Sequence, residues 1–146
     1  MRLFEIMSER VETIDPAEAA DVAWERLRRG LFHHLVVTEA NRVIGVVSDG
    51  DLGGPHGEVV RQGRTVRELM GRKLVTATPE TSVREAANLL RGYVIGCLPI
   101  LQKKRLVGII TTTDLLDLLG RGVERPIRAP KRSTMKPKKK SSRSAA

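Results

Sequence analysis

The sequence repeats itself with a period of 63 residues, and the two copies align without a gap. The segment at 43–48 (VIGVVS), for example, aligns with that at 106–111 (LVGIIT). A period this long exceeds that of solenoid repeats, so it indicates a tandem duplication of one supersecondary unit. We predict that the copies pack as a pseudo-twofold intramolecular pair with two related half-sites. Residues identical in both copies include Met7/Met70, Thr13/Thr76, Pro16/Pro79, Ala23/Ala86, Leu27/Leu90, Leu35/Leu98, Gly45/Gly108, Asp51/Asp114 and Leu52/Leu115.

The composition is that of a small globular protein with an aliphatic core. Of the 146 residues, 40% are hydrophobic but only 3% are aromatic, which is enough for one compact core of aliphatic side chains. The longest apolar runs are far shorter than a membrane span, and Met1 to Arg10 lacks the apolar stretch of a secretory signal. We therefore expect a cytoplasmic protein.

Cysteine and histidine usage argues against metal and redox chemistry. The single cysteine, Cys97, rules out an intrachain disulfide, and we expect it to be a small buried apolar residue. His33, His34 and His56 lack the spacing of metal ligands. No paired nucleophile and base and no phosphate-binding loop is evident, so we predict no catalytic residue, no metal and no enzyme activity.

The net charge of +9 is concentrated at the C-terminal end. Residues 1–120 hold 16 Lys and Arg against 16 Asp and Glu, whereas residues 121–146 hold 10 against the single Glu124. Rich in Pro, Ser and Lys, this tail cannot bury enough surface to fold alone. Three alternatives remain open for it: a solubilising end, non-specific contact of residues 125–146 with nucleic acid, or contact with an anionic membrane surface.

Each copy begins with an extended stretch that leads into a helix. In the second copy, Ser82 followed by Glu85 predicts a capping box that starts a helix through about Arg91. Asp15-Pro16 is expected to open the corresponding helix of the first copy, with Trp24 as a packing residue.

After each helix come two aliphatic runs joined by a polar turn, which predicts a strand hairpin. The runs are 35–37 and 43–47 in the first copy, and 98–101 and 106–110 in the second. A final helix is expected after each hairpin. It is weak in the first copy because Gly53-Gly54-Pro55 interrupts it, so residues 53–64 are expected to form a linker. The predicted fold class is α+β, with the order β-α-β-β-α in each copy.

The segments at 45–51 (GVVSDGD) and 108–114 (GIITTTD) resemble the Gly-x-x-Ser/Thr-x-x-Asp signature of CBS domains, named after cystathionine β-synthase. A Pro closing the first extended stretch, an Ala in the first helix and the Pro-containing run Leu98-Pro99-Ile100 agree with that family. The resemblance spans about residues 5–120. It implies a Bateman module, with CBS domain 1 at 5–58 and CBS domain 2 at 65–120.

The resemblance also implies a ligand. Pairs of CBS domains commonly bind AMP, ADP, ATP or S-adenosylmethionine in the cleft between the repeats. A carboxylate beyond a strand end can accept two hydrogen bonds from a ribose diol, and a hydroxyl at a helix start can donate to a phosphate. The residues implied are Asp51 and Asp114 for the ribose, Ser48, Thr111 and Thr113 for the phosphates, and the backbone of Thr13-Ile14 and Thr76-Ala77 for the adenine edge.

The pair His33-His34 resembles the position where basic residues of the family approach ligand phosphates. The second copy has Gly96-Cys97 there, so the half-sites are not equivalent. An anionic ligand should favour the pocket reached by His34, and a histidine of ordinary pKa would make binding pH-dependent.

The function predicted is that of a stand-alone regulatory, energy-sensing module. It would bind an adenosine-containing ligand without an obligatory cofactor, form a homodimer and signal to an unknown regulated protein. Two alternatives stay open. Asp51 and Asp114 could serve only as helix-start residues, and the pair could be a ligand-free dimeric scaffold that presents basic tails to nucleic acid.

Overall fold

The computed structural model describes residues 1–121, so the predictions for the tail beyond them lie outside the described part of the chain. The order of elements follows the repeat. The first copy contains β1 (Thr13–Ile14), α1 (Ala20–Gly30), β2 (His34–Glu39) and β3 (Arg42–Ser48), followed by the short helix α2 (Glu58–Arg61). The second contains the short helix α3 (Val66–Leu69), α4 (Val83–Tyr93), β4 (Cys97–Gln102), β5 (Arg105–Thr111) and α5 (Thr112–Arg121).

Both copies build the same small sheet. In the first, β1 runs parallel to β2, and β2 pairs with β3 as an antiparallel hairpin. In the second, β4 and β5 form the hairpin, and a single parallel bridge from Ala77 to Ile100 takes the place of the β1–β2 pairing. The predicted α+β class and β-α-β-β-α order are confirmed.

The first helices of the two copies begin at equivalent positions but are capped differently. Ser82 is the N-cap of α4, and its hydroxyl accepts a hydrogen bond from the Glu85 amide at 3.0 Å. The N-cap of α1 is Ala19, whose side chain caps nothing. Asp15 instead accepts from the Ala17 amide at 2.8 Å, so it stabilises the turn before the helix and not the helix itself.

After its hairpin, the first copy has only the four-residue α-helix α2, whereas the second copy has the ten-residue α5. Turns and a 3₁₀ segment at Gly54–His56 follow β3, and the expected linker contains α2. Arg61, only 3% exposed, donates to the carbonyls of Leu52 and Gly54 at 2.8 Å each, and its guanidinium lies 4.3 Å from the centre of the Trp24 ring. One buried cation thus ties this loop to α1.

Each copy begins with a leading segment, at 1–12 in the first copy and at 64–75 in the second, and each of these segments packs on the other copy. Leu3 is buried in the core of the second copy, and Val66 in the core of the first. Ser8 exchanges backbone hydrogen bonds of 3.0 and 2.9 Å with Ile109 of β5. The Gly71 amide, at the corresponding position, donates to Val46 of β3 at 3.1 Å. Because each leading segment packs on the opposite copy, the copies form one pseudo-twofold body, whereas the predicted domain boundaries remain a prediction.

Residues 1–121 contain neither a helix that could span a membrane nor a cluster of potential metal ligands. No helix in that range is long and apolar enough to cross a bilayer. Within the same range, no group of three or more His, Cys, Asp and Glu side chains could hold a metal ion.

Candidate functional site

At the end of each hairpin, an aspartate and a hydroxyl-bearing residue each accept a hydrogen bond from the backbone amide of the other. The Ser48 amide donates to Oδ2 of Asp51 at 2.9 Å, and the Asp51 amide donates to Oγ of Ser48 at 3.1 Å. Thr111 and Asp114 make the same two bonds at 2.9 and 3.0 Å. The local capping role is therefore real, but it uses only Oδ2. Within residues 1–121, Oδ1 of each aspartate makes no hydrogen bond, so it can accept one from a ligand.

Two clefts lie at these pairs and are related by the repeat. The larger, which we call the Asp114 cleft, has a volume of about 650 Å³, and the smaller, the Asp51 cleft, about 180 Å³. The Asp114 cleft is lined by Ser8, Arg10, Glu12, Gly30, Leu31, Phe32, His33, His34, Gly96, Ile109, Thr111, Thr112, Thr113 and Asp114. The Asp51 cleft is lined by His34, Val46, Ser48, Asp51, Gly71, Lys73, Leu74, Val75, Val94, Ile95, Gly96 and Cys97.

The volumes separate the two clefts. Sites for small molecules usually measure roughly 300–1,000 Å³, a range that includes the Asp114 cleft and excludes the Asp51 cleft. Residues from both copies line each cleft, because the leading segment of one copy packs against the hairpin of the other. A molecule in the Asp114 cleft would therefore touch both repeats.

The burial of His34 changes the expected electrostatics. His34 borders both clefts, and burial lowers its pKa to about 4, even though the nearby Asp49 acts in the opposite direction. It is neutral at pH 7, so the expectation that His34 attracts an anionic ligand by its charge is wrong. Nδ1 of His33 lies 2.8 Å from Oδ2 of Asp49, which pairs that ring with a carboxylate of its own repeat.

Two cations that the sequence motifs did not single out line the clefts instead. Arg10 borders the Asp114 cleft, and Lys73, the residue aligned with it by the repeat, borders the Asp51 cleft. A basic residue retained at one register position in both copies was the available signal. Glu12, which lines the same cleft as Arg10, is paired with Arg26 at 3.1 Å.

Burial also perturbs groups of the Asp51 cleft. It raises the pKa of Asp51, although hydrogen bonding with Ser48 acts in the opposite direction. It raises the pKa of the Cys97 thiol to about 12, with Asp114 and Asp51 adding to the shift, so Cys97 stays a neutral thiol. The prediction that Cys97 is a buried apolar residue is confirmed.

The remaining predicted site residues divide between the clefts and the sheets. Thr113 lines the Asp114 cleft together with Thr111 and Asp114. By contrast, the adenine-edge candidates are absent from the linings of both clefts: Thr13 and Ile14 pair with β2, and Ala77 donates to Pro99 and accepts from Leu101. Thr76 lies beside Ala77 and lines neither cleft either. The segments that do supply cleft walls start five to six residues earlier, at Ser8 and Gly71.

These features define a duplicated α+β module whose repeats form two clefts between them. The chain belongs to the CBS domain family, because the CBS domain matches residues 3–52 and 66–121. It is 34% identical over 128 residues to a CBS domain-containing protein of Dictyostelium discoideum, covering 79% of this chain and 88% of that one. Three further curated relatives are longer, and the chain spans between 19% and 42% of their lengths.

Solved structures share the fold. The CBS domain pair of protein MJ0100, in complex with 5′-methylthioadenosine and S-adenosyl-L-methionine, superposes with a TM-score of 0.74 at 23% identity over 82% of this chain and 96% of that one. CBSX2 in complex with AMP gives 0.70 at 26% identity over 82% and 96%. The second of these is a CBS-pair protein from Arabidopsis thaliana.

Proposed function

We propose that this chain is a regulatory module that binds an adenosine-containing ligand in the Asp114 cleft and does not transform it. The observation that carries the proposal is that Asp114 borders a cleft of about 650 Å³ with one carboxylate oxygen to spare. The Thr111 amide bonds to Oδ2, and Oδ1 makes no hydrogen bond within residues 1–121. Adenosine ligands bound to structures of the same fold, and AMP bound to CBSX2, support this class of ligand.

The lining of the Asp114 cleft suits the parts of such a ligand. A ribose diol would donate to Oδ1 of Asp114. Thr113 lies in the first turn of α5, where an amide and a hydroxyl favour an anion such as phosphate. The amide and the hydroxyl of Thr112 instead donate to the Gly96 carbonyl. Arg10 adds the positive charge that the neutral His34 does not supply.

Signalling would follow from the exchange of leading segments. His33 and His34 reach the cleft from the first copy, and Thr111 and Asp114 reach it from the second, while the leading segment of the first copy pairs with β5 along the same cleft. A ligand that contacts both groups favours the arrangement in which the repeats are closest, and only such differential binding can change the state of the module. We propose a homodimer and a separate regulated protein as the recipients of that change.

The first experiment is calorimetric titration of AMP, ADP, ATP and S-adenosylmethionine into the wild type, Asp114→Asn and Asp51→Asn. Asparagine retains an acceptor for the Thr111 amide but loses the charge that strengthens a bond to the ribose. Because a hydrogen bond to a charged group contributes about 1.5–3 kcal/mol, we expect Asp114→Asn to weaken binding by roughly 10- to 100-fold. Asp51→Asn is the matched control in the smaller cleft and should bind like the wild type.

Other outcomes would contradict the proposal. The absence of heat with all four ligands would favour the ligand-free scaffold that presents basic tails to nucleic acid. Weakening by Asp51→Asn with unchanged binding by Asp114→Asn would place the site in the smaller cleft. Turnover of ATP that is lost in Asp114→Asn would show an enzyme.

A further inference from the structure

Two helices end on apolar residues in the left-handed region of backbone conformation. Leu31, the C-cap of α1, has φ 59° and ψ 37°, and Val94, the C-cap of α4, has φ 54° and ψ 53°. Glycine or asparagine usually occupies such a position, because a larger side chain is strained there and a β-branched one most of all. The two residues are aligned by the repeat, so the feature occurs once in each copy.

Neither side chain gains burial in return for the strain. Leu31 is 87% exposed and Val94 is 88% exposed, the two highest values among the large hydrophobic residues of 1–121. Strained residues of this kind persist mainly where they serve a function, such as holding a ligand. Packing within the chain therefore does not account for the choice of leucine and valine.

Their position points to the clefts. Leu31 lines the Asp114 cleft, and Val94 lines the Asp51 cleft. Phe32, beside Leu31, lines the same cleft, and its ring packs against Gly30, where any Cβ would collide with it. Leu31 and Phe32 are therefore apolar side chains that the first copy contributes to the same cleft that Thr111 to Asp114 of the second copy line.

We propose that Leu31 is a specificity-determining residue that covers the planar base of the ligand in the Asp114 cleft. This inference rests on the proposed function. The left-handed backbone holds the side chain out of the first core and over the cleft, so that the bound base removes it from water. Binding of the base would bury the exposed Leu31 side chain, and the free energy gained from that burial would offset the backbone strain.

The test combines two measurements on the full chain with Leu31→Gly, Leu31→Asn and the control Val94→Gly. All three substitutions suit a left-handed backbone, so the thermal midpoint without ligand should rise by about 2–6 °C or hold steady, which shows that the variants fold. Only the two Leu31 variants should lose affinity for AMP, by roughly tenfold or more, because the base loses its apolar cover. Ribose 5-phosphate, which lacks the base, should bind the wild type and the Leu31 variants equally.

Each failure has its own signature. If the wild type binds AMP and Asp114→Asn does not, but Leu31→Gly binds AMP like the wild type, the role of Leu31 is overturned and the proposed function stands. A change of oligomeric state in Leu31→Gly with unaltered AMP affinity would overturn it too, by assigning the side chain to an interface. If the wild type binds none of the adenosine ligands, both proposals fall.

Discussion

At the residue scale, the same side chains serve the fold and the candidate site. Asp114 and Thr111 satisfy each other's backbone amides, as Asp51 and Ser48 do in the first copy. The capping interpretation and the ligand interpretation of these aspartates are therefore compatible, because a carboxylate has two oxygens and the cap uses one. What distinguishes the copies is the volume in front of the free oxygen.

His34 predicts how stability depends on pH. Its pKa of about 4 in the folded state lies below the ordinary value of 6.5, so between these values the unfolded chain binds a proton that the folded chain does not. Stability is therefore complete above pH 6.5 and falls as the pH drops toward 4. We expect the free energy of unfolding to fall by about 2 kcal/mol more in the wild type than in His34→Gln between pH 7 and pH 5.

Urea denaturation at the two pH values measures this difference. His56→Gln removes an exposed histidine and should retain the pH dependence of the wild type. If His34→Gln and the wild type lost the same stability between pH 7 and 5, His34 would not be buried in its neutral form.

At the scale of elements, the two copies show that a helix can start at the same aligned residue with or without a side-chain cap. α1 and α4 begin at aligned residues and have eleven residues each, although only α4 has a side-chain cap. The start of α1 is held instead by tertiary contacts, including the hydrogen bond of 2.8 Å from the Ala20 amide to the Arg64 carbonyl.

Exchanging the caps should therefore change stability in opposite directions. Ser82→Ala removes the acceptor of the Glu85 amide and should lower the free energy of unfolding by about 1 kcal/mol. Ala19→Ser, whose backbone is already extended at φ −66° and ψ 143°, should raise it by up to about 1 kcal/mol. Chemical denaturation of both variants measures the effect, and a loss of stability in Ala19→Ser would contradict it.

At the scale of the whole molecule, the exchanged leading segments unite the repeats. Met7 packs on Gly108 of the second hairpin, and Met70 packs on Gly45 of the first. Each glycine lies where the leading segment of the other copy crosses its hairpin, so there is no room for a side chain. Neither glycine has a positive φ. Space, and not backbone freedom, explains why glycine recurs in both signatures.

Filling that space should loosen one crossing more than the other. A Cβ on Gly108 would lie 2.7 Å from Sδ of Met7 and 3.0 Å from the Ser8 carbonyl, whereas one on Gly45 would lie 3.0 Å from Sδ of Met70 and 3.5 Å from the Gly71 carbonyl. The flexible methionine side chains can move, but the Ser8 backbone is held by its hydrogen bonds to Ile109. We therefore expect Gly108→Ala to lower the free energy of unfolding by about 1–3 kcal/mol, and Gly45→Ala to lower it by less. Denaturation curves of the two variants test this order, and the reverse order would refute it.

The sequence alone predicts the duplication, the α+β class, the two hairpins and the capped start of α4. These features depend on periodicity, turns and caps, which are local and are written twice. It also singled out Asp51 and Asp114, because their motif lies at a strand end whatever surrounds it.

The packing of distant residues establishes which copy each leading segment packs on, that Ser8 and Arg10 line the wall expected near Thr13, and that His34 is neutral. It also decided that the Asp114 cleft is several times larger than the Asp51 cleft. Burial, pKa and cleft volume depend on which distant residues come together, and two copies with the same local pattern can differ in all three.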